Sequence, residues 1–126
     1  MQVQTGIDII EVGRIQEAIE RQKEKFLQHI YTQNEISYCE KTGKMKYQHY
    51  AARFAAKEAI YKAISNKINN GIGDIWTKIE IQTNKNGKPT ANLEKLQLQN
   101  IESMDLSLSH LKEYAIANFV IIFNKI

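Results

Sequence analysis

Two carboxylates interrupt stretches of sequence that otherwise read as core. Asp8 stands inside Ile7-Asp8-Ile9-Ile10, and Glu58 inside the alanine-rich segment Arg53-Phe-Ala-Ala-Lys-Glu-Ala-Ile-Tyr-Lys-Ala-Ile64. A carboxylate near a core boundary must be paired, hydrogen-bonded or bound to a cation, because an unpaired buried charge is strongly destabilising. Two of them from distant parts of the chain point to a shared divalent metal. Lys62 lies at i+4 from Glu58; standing alone, such a pair is a helix ion pair worth about 0.2–0.5 kcal/mol. With Asp8 in the apolar run, and Lys57 and Arg53 close by on the same segment, the set is what a magnesium–phosphate site needs. Oxygen ligands hold the hard ion, and Lys or Arg neutralises the remaining phosphate charge.

Other chemistries fit less well. His110 follows Ser107-Leu-Ser109, but adjacent residues of a strand point to opposite faces, so a Ser–His nucleophile pair is geometrically poor. His110 reads better as a donor to a phosphate or a backbone carbonyl at a strand end. His29 and His49 are isolated in sequence and read as surface or capping residues. One cysteine and three scattered histidines show no zinc-ligand spacing. Cys39, in Ser-Tyr-Cys-Glu-Lys with no local histidine, reads as a packing or surface residue. There is no Walker loop and no dinucleotide glycine pattern.

The elements that would position these residues follow from periodicity. Val3 to Ile10 predicts a strand, leading into an amphipathic helix over Glu11 to Ile30 with Val12, Ile15, Ile19, Phe26 and Ile30 on its apolar line. Thr32-Gln-Asn-Glu35 has the capping-box pattern, so a short helix starts at Gln33. Tyr47 to Lys67 predicts a long helix ending at Asn69-Asn70-Gly71. On it Ala55, Ala56, Ala59, Ile60 and Ala63 form an arc of mostly small residues that lets another backbone approach closely. Ile75, Thr77, Ile79 and Ile81 alternate with polar residues as in a half-buried strand. Asn84-Lys-Asn-Gly87-Lys-Pro89 is a hairpin turn, followed by a return strand over Thr90 to Leu93. A short helix is expected over Glu94 to Asn100, a strand over Met104 to Ser109, and a last strand over Tyr114 to Phe123 buried on both faces. Helices in the first half and strands mainly in the second make the fold α+β, with an antiparallel sheet packed on the long helix and the N-terminal one.

Composition bounds the rest. At 126 residues, 43% hydrophobic and 25% charged, the chain reads as one ordinary globular domain spanning 1–126. No apolar run approaches the roughly 20 residues of a membrane span. The N-terminus shows no basic region and no apolar stretch of an export signal. With a lone cysteine as well, the expected compartment is the cytoplasm. The net charge of +3 defines no partner by itself. The first helix says more: Arg14, Arg21 and Lys25 share one line and Glu17, Glu20 and Glu24 another. That pattern is either a solvated face of mixed charge or a basic strip beside apolar residues, suited to an acidic partner. No dense Lys/Arg cluster supports nucleic-acid binding. A metal-dependent phosphatase would use the same carboxylates and cations.

Four motifs, in order along nearly the whole chain, bear a family resemblance. Gly6-Ile-Asp-Ile-Ile-Glu-Val-Gly-Arg-Ile15 resembles the opening of the holo-acyl-carrier-protein synthases, small bacterial phosphopantetheinyl transferases. Arg53-Phe-Ala-Ala-Lys-Glu-Ala59 with Lys62 resembles their second signature, and Gly87-Lys-Pro89 and Leu106-Ser-Leu-Ser-His110 the third and fourth. The resemblance implies transfer of 4′-phosphopantetheine from coenzyme A to a serine of apo-acyl carrier protein, in support of fatty acid biosynthesis, leaving adenosine 3′,5′-bisphosphate. It implies Mg²⁺ held by Asp8 and Glu58, and Lys62 near the transferred phosphate. The serine's proton acceptor is left open between Glu58 and a metal-bound water. Arg53, Lys62, Pro89 and His110 would contact coenzyme A, and Arg14, Ile15, Arg21 and Phe26 the carrier protein. A homotrimer with active sites at subunit interfaces is also implied; the small-residue arc fits such packing, but its pattern alone does not distinguish a neighbouring subunit from a strand of the same chain. One stretch departs from the pattern. Ser65-Asn-Lys-Ile-Asn-Asn-Gly71-Ile-Gly73 is longer and poorer in glycine than the family's Gly-Thr-Gly-Ile-Gly turn.

Overall fold

The computed structural model describes residues 1–68 and 75–124. The expected helix end at 69–71 and the glycines at 71 and 73 lie outside them. Strand β1 (Gln2–Glu11) runs into helix α1 (Val12–Gln22), followed by α2 (Glu24–Ile30), α3 (Gln33–Glu40), the long α4 (Lys46–Ile64) and a short α5 (Ile75–Lys78). The hairpin β2 (Glu80–Thr83) and β3 (Pro89–Asn92) precedes two long strands, β4 (Ile101–His110) and β5 (Tyr114–Phe123). The three long strands form one antiparallel sheet in the order β1-β5-β4, and the hairpin is a separate two-stranded sheet. The α+β class read from the sequence is the one observed.

Helix α4 lies across one face of the sheet. Its small residues Ala55, Ala56, Ala59 and Ala63 are at most 3% exposed and share a core with Phe119, Ile121 and Leu106. Of the two partners the arc could take, a strand of the same chain or a neighbouring subunit, it is the chain's own sheet that fills it. The approach is close enough to require glycine at one point. A Cβ on Gly6 would meet the carbonyl carbon of Ala59 at 2.8 Å and the amide nitrogen of Ala63 at 3.1 Å, and the Ala59 oxygen closer still. A second group, Val12, Ile15, Ile19, Leu27, Ile30, Tyr31 and Tyr50, packs α1 and α2 onto the first half of α4.

Four sequence expectations are revised. The predicted first helix is two, broken at Lys23, whose φ of 52° lies in the left-handed region. Its N–H still closes onto the Ile19 carbonyl, ending α1 as a C-cap glycine would. Ile75 to Lys78 is helical, not extended; Ile75 and Ile79, both buried, satisfy an i, i+4 spacing as well as an alternating one. The segment expected to be a helix after β3 is only a 3-10 turn at Glu94–Leu96. Finally, β5 is buried on one face only: Ala115, Ala117, Phe119 and Ile121 face α4, whereas Tyr114 and Ile116 are 48% and 36% exposed.

Candidate active site

Strand parity puts Asp8 on the helix side of β1. Its neighbours Ile7 and Ile9 point the other way and are 57% and 62% exposed, while the Asp8 side chain is only 15% exposed. The acid thus faces in beside Ile10, which packs against the core, while Ile7 and Ile9 face outward. Opposite Asp8, α4 presents Glu58 and Lys62 one turn apart, held at this distance by the Gly6–Ala59 contact. Lys62 Nζ donates to Asp8 Oδ1 at 3.1 Å and to the Ile7 carbonyl at 2.9 Å. Glu58 shares the cleft. Burial and then the Asp8 charge push its carboxyl above the usual range, with Lys62 opposing. Two carboxylates that repel one another across a lysine make a site electrostatically short of positive charge.

The donor set fits a hard cation that keeps most of its shell for water and substrate. No group of three or more His, Cys, Asp or Glu able to hold a metal occurs among the described residues. Two carboxylates leave the remaining positions open, as magnesium at a phosphate requires, whereas a closed zinc site needs four protein ligands.

The other cations read from α4 lie elsewhere. Lys57 is fully buried and bonded to Glu35 Oε1 at 2.7 Å, with its remaining donors on the carbonyls of Trp76 and Ile79. Burial lowers its pKa, and Glu35 opposes the shift. Glu35 in turn accepts from the Thr32 and Ile81 amides, completing the capping box and anchoring β2. Lys57 is thus structural and not part of a phosphate cluster. Arg53 is 3% exposed, stacked 4.0 Å beneath the Tyr38 ring, with Nη2 donating to Thr83 Oγ1 at 3.0 Å. Thr83 pairs with Pro89, so the hairpin's proline lies across the strand pair from the Arg53 contact. Arg53 as placed here is covered by Tyr38 and does not offer its guanidinium directly to a ligand.

His110 ends β4 and faces the same side of the sheet as Asp8, with β5 between them. Its Nδ1 pairs with Gln48 Oε1 at 2.8 Å, and Gln48 also lines an open cleft of about 400 Å³ that includes Glu11, Gly13, Lys44, Tyr47 and Lys112. His49, read from sequence as isolated, lies 5.1 Å from His110 ring to ring. The packing of α4 on the sheet brings the two histidines together, and no local pattern signals it. Cys39 is fully buried, and burial pushes its thiol up to about 12, in keeping with packing.

Arg14 and Arg21 are exposed on α1, Arg21 beside Glu17 at 3.6 Å. Phe26 is half-buried on α2, its ring 6.2 Å from that of Tyr31. Ile15 is 4% exposed and packs inward with Val12 and Ile19; it has no surface to give a partner, which corrects its expected role.

Residues 4–119 match the model of the 4′-phosphopantetheinyl transferase superfamily. The chain belongs to that family. It is 44% identical over 126 residues to the holo-[acyl-carrier-protein] synthase of Ruminiclostridium cellulolyticum, covering 96% of this chain and 92% of the relative. It is 42% identical to that of Chloroherpeton thalassium, covering 94% and 97%. Among solved structures, a Bacillus anthracis holo-(acyl-carrier-protein) synthase in complex with CoA (3′,5′-ADP) superposes with a TM-score of 0.75 at 35% identity, covering 94% of each chain. The Helicobacter pylori synthase in complex with coenzyme A gives 0.77 at 32% identity, covering 94% of this chain and 99% of that one. The family's shared fold is thus the frame on which Asp8, Glu58 and Lys62 are mounted here.

Proposed function

We propose that this chain is a holo-acyl-carrier-protein synthase, transferring 4′-phosphopantetheine from coenzyme A to a serine of apo-acyl carrier protein with release of adenosine 3′,5′-bisphosphate. The observation that carries this is the seam between β1 and α4, where Lys62 bonds Asp8 and both charges act on Glu58. Membership of the superfamily and similarity to synthases of known name supply the substrate class. Asp8 and Glu58 would hold Mg²⁺, which when bound supplies charge to the coenzyme A pyrophosphate. Lys62, half-exposed at the rim, would leave Asp8 to neutralise the transferred phosphate. The carrier serine's proton would pass to Glu58 or to a metal-bound water. Phosphoryl transfer asks little else of a protein than placement and charge.

The geometry also favours assembly. His49 and Glu58, nine residues apart on α4, leave the helix on opposite sides, separated by about 13 Å along its axis. One chain therefore carries the carboxylate cleft on one flank of α4 and the histidines on the other. A homotrimer in which a neighbouring copy brings His110 and Pro89 to the coenzyme held at Asp8 and Glu58 closes the site. The outward face of the sheet, with Val3, Ile7, Ile9, Tyr114 and Ile116 exposed, is the apolar surface such an assembly would cover. Arg14, Arg21 and Phe26 remain as the surface for the acidic carrier protein, without Ile15. No described helix is long and apolar enough to cross a membrane. We place the enzyme in the cytoplasm, where a reduced thiol such as Cys39 persists.

Incubation with coenzyme A, Mg²⁺ and an apo-acyl carrier protein tests the reading. The carrier is expected to gain the mass of phosphopantetheine on its serine. Release of inorganic phosphate with no such gain would indicate a phosphatase instead.

A further inference from the structure

The turn of the hairpin makes a side-chain contact that none of the roles above uses. The hairpin is a sheet of its own, and neither of its strands pairs with β4. Its root is fixed by Glu35 and Lys57, and the end of β2 by the Arg53–Thr83 bond. The turn closes on itself: the Asn84 amide donates to the Lys88 carbonyl, and Asn84 Oδ1 accepts from the Asn86 and Lys88 amides. Among the described residues, the one polar tie seen from this turn to the main sheet runs through Lys88. Its Nζ bonds Asp105 Oδ1 at 3.0 Å and the Leu106 carbonyl at 3.3 Å, both on β4, the strand at the sheet's edge. Asp105 Oδ1 also accepts from the Leu106 amide at 2.9 Å, which fixes the orientation of the carboxylate. Lys88, and then that amide, hold the carboxyl below the usual aspartate range. The two side chains are 48% and 63% exposed, and a pair so open to water adds little to the stability of a fold. What it can set is the position of the turn.

We propose that Asp105 is a positioning residue for coenzyme A, acting through Lys88 to hold Pro89 in place. This rests on the function proposed above, in which Pro89 meets the coenzyme. Pro89 follows Lys88 directly and its ring locks φ, so the place of the lysine is passed to the proline with little slack. Across the strand pair, Thr83 faces Pro89 and is itself held by Arg53. The proline is thus steadied from two directions, by Arg53 through the facing strand and by Asp105 through the preceding residue. Cutting the second tether leaves the bonds within the turn intact but frees it to pivot about its root. The coenzyme must then order the turn as it binds, which weakens binding. The chemical step is untouched, because Asp8 and Lys62 lie apart from the hairpin at the seam of β1 and α4.

Two measurements on the whole enzyme test this: calorimetric titration of coenzyme A with Mg²⁺ and no carrier protein, and steady-state transfer. Asp105→Ala is expected to raise both Kd and KM for coenzyme A about threefold, in keeping with the modest strength of exposed pairs. It should leave kcat at saturating coenzyme A, KM for the carrier protein and the melting temperature as in wild type. Asp105→Glu, which keeps the charge, should recover most of the affinity. Lys88→Met should weaken coenzyme A binding no more than Asp105→Ala, and the double variant no more than either alone, because both cut one tether. In an enzyme that transfers normally, an Asp105→Ala variant with wild-type Kd and KM overturns the positioning role alone. Additive effects of the two substitutions overturn it as well, since Lys88 would then act on the coenzyme by itself. So does a fall in kcat together with melting temperature, the mark of a merely structural residue. A wild type that neither binds coenzyme A nor transfers overturns this role and the function together.

Discussion

Replacing Gly6 with alanine should damage fold and activity through one displacement. A methyl at this position meets backbone, the Ala59 carbonyl group and the Ala63 amide, and no flexible side chain can move aside for it. Strand and helix must separate by on the order of 1 Å, and overpacking of this kind costs about 1–3 kcal/mol or somewhat more where only backbone can yield. The residues beside the contact carry the site: Asp8 is two positions along β1, and Glu58 and Lys62 immediately precede Ala59 and Ala63 on α4. A misplacement of about 1 Å between groups that share a substrate lowers turnover by roughly a hundredfold. Urea denaturation should show the loss of stability with an unchanged m-value, and transfer assayed well below the melting temperature should show the fall in kcat. A Gly6→Ala enzyme that is as stable and as fast as wild type would refute the claim that β1 and α4 are in backbone contact here.

Three further outcomes are expected. Glu58→Gln should abolish transfer yet raise the melting temperature in EDTA at pH 8. A carboxyl whose folded pKa is raised stabilises most below its unfolded pKa and loses that contribution as pH rises through the folded value, so at pH 8 its neutral replacement removes a cost. At pH 4 the gain should vanish. Lys57→Met should destabilise by about 3–5 kcal/mol, because it strands the fully buried Glu35 charge, and the double variant with Glu35→Gln should recover part of this by chemical denaturation. Ile116→Glu, on the outward face of the central strand, should leave a folded monomer by analytical ultracentrifugation with transfer largely lost.

Much of this architecture was legible in the residues. The limits of β5, the Asn-Gly hairpin, the capping box at Thr32 and the body of α4 follow from patterns that act over a few residues, and each is observed. What escaped depends on contacts between distant parts of the chain. Lys23 adopts a left-handed φ with no glycine to announce it. Ile75 and Ile79 satisfy both periods, and only the docking of α5 decides between them. Lys57 and Arg53 look like exposed cations on a helix wheel, because nothing nearby in sequence reveals Glu35 or Tyr38 as their partners. For the site, a polar residue in an apolar context was the informative sign. Asp8 stood out on that ground, and the strand turns it toward α4 on the same side as Ile10 while Ile7 and Ile9 face outward.

The Glu35 carboxylate has a consequence for redesign. It fastens the start of the 80–92 hairpin by the amide of Ile81 and closes the turn before α3, while Lys57 grips the carbonyls just upstream. The appendage is thus riveted at its root by polar bonds, the turn from Asn84 to Lys88 closes on its own backbone and the Asn84 side chain, and Lys88 Nζ ties its far end to Asp105 and the Leu106 carbonyl of β4. Recomposing Lys85 to Gly87 while keeping Lys88 should tune whatever lies against the tip without loosening the rest of the molecule, so the hairpin end is the natural place to graft new ligand preference.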